Sequence, residues 1–408
     1  MTRKPLRISL IVFTILIGSA SDLPAQQMSE LQICTALKPE EARVLAARYQ
    51  SPKSILTLGA LEQLGPEVAR ELAACKGDLE FSVLKSLTPE TAGELASHPG
   101  MLRLDALNSL SPETAAALAK HSAPLSLMGV FLDNNNLEPL MDHSGMLILG
   151  DISTMPEDKA KILSQHTGLL ELPKLTSFDS DLAERILATR SGKLRLEGLT
   201  AINTTELATK LAESPGLLSL RHLSAIPDHC LEVLAAQKGT LNIGLKSVSQ
   251  TQAEILIRHP GPLWLNSVPT LSELPVQILT SHSDKLMMSG LTSLEDPKLA
   301  EKLAANKPSY LSLNNLTSLR PDIARRLVAA NCPLLLKKLQ SLTPELATEL
   351  AAHTATLDLT GIRSLSPEVA RILVQHNKRL MLTGLTSVSP EVQEILATNK
   401  AIQLPTKK

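Results

Sequence analysis

One frame recurs along almost the whole chain at a step of about 23 residues, and it dictates the fold class before any other property is considered. Leu102, Leu104, Leu107 and Leu110 precede Pro112, Ala115 and Leu118. Leu357, Leu359, Ile362 and Leu365 precede Pro367, Ala370 and Leu373 in the same spacing, and Leu311 to Leu327 repeats it again. The proline slot falls at 39, 66, 89, 112, 135, 157, 180, 205, 228, 250, 273, 297, 321, 344, 367 and 390. Nine of its fifteen intervals are 23, so the chain is one array of about sixteen copies rather than the two or three globular domains its length suggests. Pro156 and Pro227 stand one residue early.

Each copy has two halves with different physics. The Leu-x-Leu step has period two and predicts a short strand, and the Ala-x-x-Leu step has helical spacing. Between them Ser111-Pro112-Glu113, Thr343-Pro344-Glu345, Ser366-Pro367-Glu368 and Ser389-Pro390-Glu391 read as helix starts. Ser or Thr caps free amides, Pro suits the first helical position, and Glu meets the positive end of the dipole. Gly100, Gly168, Gly216 and Gly239 follow the helices, where they are expected to stop them. A unit this small cannot bury its apolar face alone, so neighbours must stack. The expected fold is α/β: a single solenoid over residues 29–404, with a parallel sheet on a concave face and helices on a convex face, curved into a horseshoe. Residues 405–408 form a polar tail.

The frame resembles the leucine-rich repeat, with spacing similar to the cysteine-containing subclass and the flavour of secreted bacterial members. Cys34, in Leu31-Gln-Ile-Cys34-Thr-Ala-Leu37, sits where that subclass places its cysteine. Elsewhere the slot holds apolar residues such as Leu107, Leu199, Leu223, Leu316 and Leu385, where the family usually has Asn or Cys. The resemblance implies a binding role and no activity.

The first residues read as a targeting segment. Arg3, Lys4 and Arg7 precede the apolar run Ile8 to Ile17, with cleavage expected after Ala20 or Ala25. That run is too short to span a bilayer, so residues 1–25 are expected to be a cleaved signal peptide, giving an exported protein with no membrane span. Four cysteines fit no ladder of bridges. Only Cys34 and Cys75, in adjacent copies, are near enough to pair, the alternative being buried free thiols.

Net charge is −1, which gives no pull towards nucleic acid or anionic lipid. No G-x-S-x-G, H-E-x-x-H, P-loop or dinucleotide turn is present, so no enzyme and no cofactor are expected. Asp133-Asn-Asn-Asn136 lacks the further acidic ligands of a calcium loop. Asn203-Thr-Thr205 is a glycosylation sequon only in a host that glycosylates.

Seven histidines (98, 121, 166, 259, 282, 353 and 376) lie nine residues after the proline slot, His143 keeps their register, and Asn306 and Asn399 replace them in two copies. Metal binding is one reading, but no third ligand recurs beside them, and neighbouring helices are expected ~8–10 Å apart. Helix termination is the other. A charged imidazole suits the negative helix end and Asn suits left-handed backbone, which predicts raised imidazole pKa values and stability lost as pH rises.

The strand column facing outward runs through Thr57, Glu80, Arg103, Ser126, Ile148, Glu171, Arg195, Ser219, Asn242, Trp264, Met287, Ser312, Leu335, Asp358 and Met381. In a chain with only seven aromatic residues, the lone Trp264 together with Met287, Leu335 and Met381 reads as a docking stripe. Arg221, His222, Asn266, Asn314, Lys337 and Lys338 are its expected rim. The opposing reading is ordinary scattered surface residues. The last strand, Ile402-Gln-Leu404, has only Pro405-Thr-Lys-Lys408 to cover it, which suggests end-to-end pairing of copies. A binding module of the envelope or exterior is the leading expectation, followed by a self-assembling envelope element and then a metal-binding protein.

Overall fold

The computed structural model describes residues 36–306 and 309–405. The targeting segment, Cys34 and residues 406–408 lie outside them, and so does the conceivable Cys34–Cys75 pair. The described residues divide into two units, which meet between Leu196 and Glu197.

In the first unit the helices are α1 (Pro39–Arg48), α2 (Pro66–Ala73), α3 (Pro89–Leu95), α4 (Pro112–Ala119), α5 (Asn134–Leu137), α6 (Glu157–Leu163) and α7 (Asp181–Ala188). They alternate with β1 (Ile55–Leu58), β2 (Asp78–Phe81), β3 (Leu102–Arg103), β4 (Leu125–Leu127), β5 (Leu147–Leu149), β6 (Thr154–Met155), β7 (Leu170–Glu171), β8 (Ser177–Phe178) and β9 (Leu194–Arg195). One sheet runs β1-β2-β3-β4-β5-β7-β9, all parallel, and β6 pairs with β8.

The second unit contains α8 (Thr205–Ala212), α9 (Asp228–Ala235), α10 (Gln250–Leu256), α11 (Glu273–Leu279), α12 (Pro297–Ala305), α13 (Pro321–Leu327), α14 (Pro344–Ala351), α15 (Pro367–Leu373) and α16 (Pro390–Ala397). Strands β10 (Leu218–Leu220), β11 (Leu241–Ile243), β12 (Leu263–Trp264) and β13 (Leu286–Met287) form one parallel sheet. Strands β14 (Leu311–Ser312), β15 (Leu334–Leu335), β16 (Leu357–Asp358), β17 (Leu380–Met381) and β18 (Ile402–Gln403) form another. Each unit folds as an α/β repeat solenoid of short parallel strands alternating with helices.

Register follows from burial. Leu56, Leu79, Leu102, Leu125, Leu147, Leu170 and Leu194 pair in one row and are buried. A slip of one residue would turn that row to solvent. Ala69, Ala92 and Ala115 are fully buried on the inward helix faces. The helix starts obey the Ser/Thr-Pro-Glu rule. Thr88, Ser111, Thr343, Ser366 and Ser389 accept the amides of Thr91, Thr114, Leu346, Val369 and Val392, each with Pro in the first turn.

The apolar slot in place of Asn or Cys has a definite geometry. The amides of Leu107, Leu223, Leu316 and Leu385 close turns onto Leu104, Leu220, Leu313 and Leu382 at 3.0–3.3 Å. The amides one residue on in several copies reach the preceding turn: Asn108 to Lys85 O, Ser224 to Thr200 O and Thr386 to Arg363 O, at 2.9–3.1 Å. Backbone thus satisfies backbone, and no polar side chain is needed in the slot.

Three of the four glycines act differently from expectation, and Gly216 keeps the left-handed backbone expected of it. Gly216 alone among the described glycines has left-handed backbone, at φ 88°. At Gly100 a Cβ would lie 2.6 Å from Gly77 O, and at Gly168 and Gly239 it would overlap the carbonyl oxygens of Gly145 and Gly216. Successive turns stack so closely that only a residue without Cβ fits. Steric room, not helix termination by left-handed geometry, fixes glycine there.

Candidate functional site

The strand face carries the proposed docking residues, and the structure brings only some of them together. Trp264 and Met287 are partners in register on β12 and β13, both half-buried, with Asn242 beside Trp264 on β11. Leu335 and Met381 lie on the other sheet, on β15 and β17, with Asp358 of β16 between them. Asp358 is buried, accepts the Thr360 amide at 3.1 Å and lies 3.9 Å from Lys337 Nζ. The apolar stripe is therefore a pair and two separated single residues, because strand register inserts Ser312 and Asp358 into the column.

The rim also divides. Arg221, His222, Lys337 and Lys338 are exposed, with Arg221 3.8 Å from Glu197 and Lys338 donating to Asn315 Oδ1 at 2.8 Å. Asn266 and Asn314 are half-buried and serve the fold. Asn266 Oδ1 accepts the Ser289 amide at 3.0 Å, and Asn314 donates to Ser312 Oγ at 2.9 Å. Asp105 holds the same place relative to its helix, accepting the Met128 amide at 2.9 Å and the Ser126 hydroxyl at 2.6 Å. Asp133 likewise caps α5 by accepting the Asn136 amide, which occupies it as a structural group.

The histidine ladder departs most from expectation. His98, His121, His143, His166, His259, His282, His353 and His376 are no more than 2% exposed, so they are core residues and not surface termini. Rings of neighbouring copies stack with centroids 6.1–6.4 Å apart, closer than the helix spacing expected for them. Nδ1 of His98, His121, His259, His353 and His376 faces Ala73 O, Ala96 O, Ala235 O, Val328 O and Ala351 O at 3.0–3.4 Å. Each acceptor is a carbonyl near the end of the preceding copy's helix. The nitrogen that carries hydrogen donates to the carbonyl it faces, and His353 has a second carbonyl, Cys332 O, 2.9 Å from Nε2.

The expected sign of the pKa shift is overturned. Burial lowers the imidazoles of His98, His143, His282 and His353, and pushes His121 and His166 down to about 4, the latter with help from the Arg190 guanidinium. Desolvation outweighs the helix dipole because these rings are buried away from solvent. The left-handed role expected for Asn also fails, since Asn306 has helical backbone at φ −62°. Its side chain instead accepts the Leu286 amide and donates to Leu286 O. Asn399 donates to Val374 O and His376 O at 2.7 and 2.8 Å.

The same slot holds residues that a search for histidine overlooks. Cys75 donates its thiol to Tyr49 O at 3.0 Å, Gln237 donates to Gly239 O at 3.1 Å, and Arg190 donates to His166 O and Gly168 O at 2.9 and 2.8 Å and to Lys193 O. Arg190 is buried, which lowers its guanidinium to about 10. The legible signal was position: all three lie nine residues after a helix start at 66, 181 or 228. The slot selects for a buried hydrogen-bond donor, of which imidazole is the commonest. Burial likewise raises the Cys75 and Cys332 thiols, the reverse of what a reactive thiol needs. Parallel rings present their faces to each other, and no group of three or more His, Cys, Asp or Glu among the described residues is arranged to hold a metal.

No family model and no curated protein matches the sequence. Several solved structures do. A leucine-rich-repeat protein of Leptospira interrogans is 17% identical, with TM-score 0.40 over 89% of this chain and 98% of that one. Drosophila Toll, solved in complex with Spatzle, is 14% identical with TM-score 0.46 over 87% of this chain, which spans about half (50%) of Toll's. An internalin of Listeria monocytogenes is 11% identical with TM-score 0.33 over 91% and 89% of the two chains.

Proposed function

We propose that this chain is an exported, non-catalytic interaction module of the cell envelope or exterior that holds a protein partner on its strand face, at Trp264 and Met287. One observation carries the reading: the only tryptophan and a methionine stand side by side, half-exposed, on adjacent strands of a regular sheet. Tryptophan contributes a large, rigid contact area and methionine adapts its shape to a partner, and exposed Arg221 and His222 supply a polar rim. Export rests on the N-terminal sequence, and no helix among the described residues is long and apolar enough to cross a membrane. Affinity capture from the native envelope tests the site. Trp264→Ala with Met287→Ala should remove a partner that Leu274→Ala, on exposed helix surface, retains. An unchanged set of partners in the double variant removes the strand face from consideration.

A second reading is self-association through the final strand. Among the described residues β18 pairs only with β17, and addition of a strand from a second copy to β18 is the contact this reading requires. A mass that stays monomeric over about a hundredfold range of concentration eliminates it.

A further inference from the structure

In the first unit four consecutive copies place an imidazole in the same buried position. His98, His121, His143 and His166 stack with centroids 6.1–6.3 Å apart and planes within 12° of parallel. His98 and His121 use Nδ1 to hold the helix-end carbonyls of Ala73 and Ala96, and His143 uses Nε2 on Met146 O at 3.3 Å. The opposite nitrogens, His98 Nε2, His121 Nε2 and His143 Nδ1, and both nitrogens of His166 make no hydrogen bond of good geometry, although backbone carbonyls such as those of Pro124 and Gly145 lie near enough to favour charge weakly. A neutral ring tolerates this, because its second nitrogen is a bare lone pair. An imidazolium has two N–H donors and a full charge, and at these rings the hydration lost by burial outweighs what the surrounding backbone carbonyls return.

Charge on one ring also works against charge on the next. Two charged groups act on the column from outside it. Asp78, at the first end, favours charge on His98, and Arg190, at the last, opposes charge on His166. The slot before His98 holds Cys75, a neutral thiol. The column therefore has one favourable neighbour at one end and none in its middle. Proton uptake is cheap only after the turns have parted and water reaches the rings.

We propose that this column is an acid-release device: in mild acid the four rings take up protons together, sever the ties between successive copies and open the first unit before the carboxylates of the chain are neutralised. The sign follows from linkage. The folded rings resist protonation more than unfolded ones, so stability is complete above the ordinary imidazole range and is lost as pH falls through it towards 4.

Amide hydrogen exchange of the full chain, followed across α3 to α6 as pH is lowered, tests the proposal. Protection should be lost between about pH 6 and pH 4, with about four protons taken up per opening. His121→Asn with His143→Asn, which copies the residue already used at Asn306 and Asn399, should halve that uptake to about two and move the loss to lower pH. Protection that persists unchanged to pH 4 in the parent chain, or variant and parent curves that superimpose, overturns the proposal. Should the variant fail to fold at pH 8, the imidazole carbon resonances of the parent chain decide. Rings that stay neutral until the unit opens support it, and rings that titrate one by one in the intact unit overturn it.

Discussion

At the scale of single residues, the repeat is held by two buried columns that follow most of the helices: a donor that takes a buried carbonyl, in most copies one of the preceding copy, and, two residues on in several copies, a glycine with no room for a side chain. The donor column explains why Cys75, His98, Arg190, Gln237 and Asn399 are interchangeable in place though unlike in chemistry. Each removes the cost, about 1–3 kcal/mol, of leaving a buried carbonyl unpaired. The glycine column yields a contrast. Gly168→Ala forces a methyl into the backbone oxygens of Gly145 and Ser144, which cannot yield without separating two turns. Gly216→Ala meets open space and is opposed only by its left-handed backbone at φ 88°. Urea denaturation should show Gly168→Ala losing about 1–3 kcal/mol, the cost of overpacking, and Gly216→Ala about 1 kcal/mol. Equal losses at the two positions argue against stacked turns. Periodicity made both columns visible in sequence, but their chemistry was not. Whether a histidine at a helix end is wet or dry depends on the copy stacked over it, which is a property of neighbours.

At the scale of elements, local sequence decides nearly everything, because each helix is short and its first turn is fixed by its own residues. The slots at 135 and 180 miss the observed starts at Asn134 and Asp181 by one residue, and the other fourteen coincide with them. The two misses are copies without proline, where Asp133 and Ser180 set the start by capping. The docking stripe was harder to read. Trp264 beside Met287, and Asp358 between Leu335 and Met381, both follow from a constant step, but burial of an outward-pointing aspartate is not written in alternation. Capping gives a second contrast. Ser366 accepts the Val369 amide at 3.2 Å, whereas Ser272, before α11, makes no such bond. Ser366→Ala should cost about 1 kcal/mol in thermal or urea unfolding, the usual worth of a cap, and Ser272→Ala a few tenths. A Ser272→Ala loss as large as that of Ser366→Ala shows that the hydroxyl acts otherwise than by capping.

At the scale of the molecule, stability in such an array is a sum over copies and their nearest neighbours, so the size of a change matters less than whether it preserves the period. Leu334, Leu357 and Leu380 pair in one row at steps of 23. Removing residues 344–366 takes out one whole copy and joins Thr343 to Pro367, which regenerates a capping threonine, a first-turn proline and Glu368. Strand β15 then meets β17 in the register each now has with β16, with Leu335 beside Met381. The deletion also discards Asp358, a carboxylate the sheet keeps buried, and the imidazole of His353. Removing residues 344–354 instead strips one helix and its donor while leaving a strand with no crossover of sufficient length, since parallel strands need about a dozen residues to connect. The whole-copy deletion should therefore fold, with circular dichroism per residue unchanged and only a small fall in melting temperature. The part-copy deletion should lose protection from hydrogen exchange across β14 to β18. If the two deletions behave alike, the copies do not contribute as separable units, and the additive account of this array fails. If the whole-copy deletion folds, Leu335 and Met381 become an adjacent apolar pair like Trp264 and Met287. The same capture experiment can then ask whether pairing alone creates a docking surface.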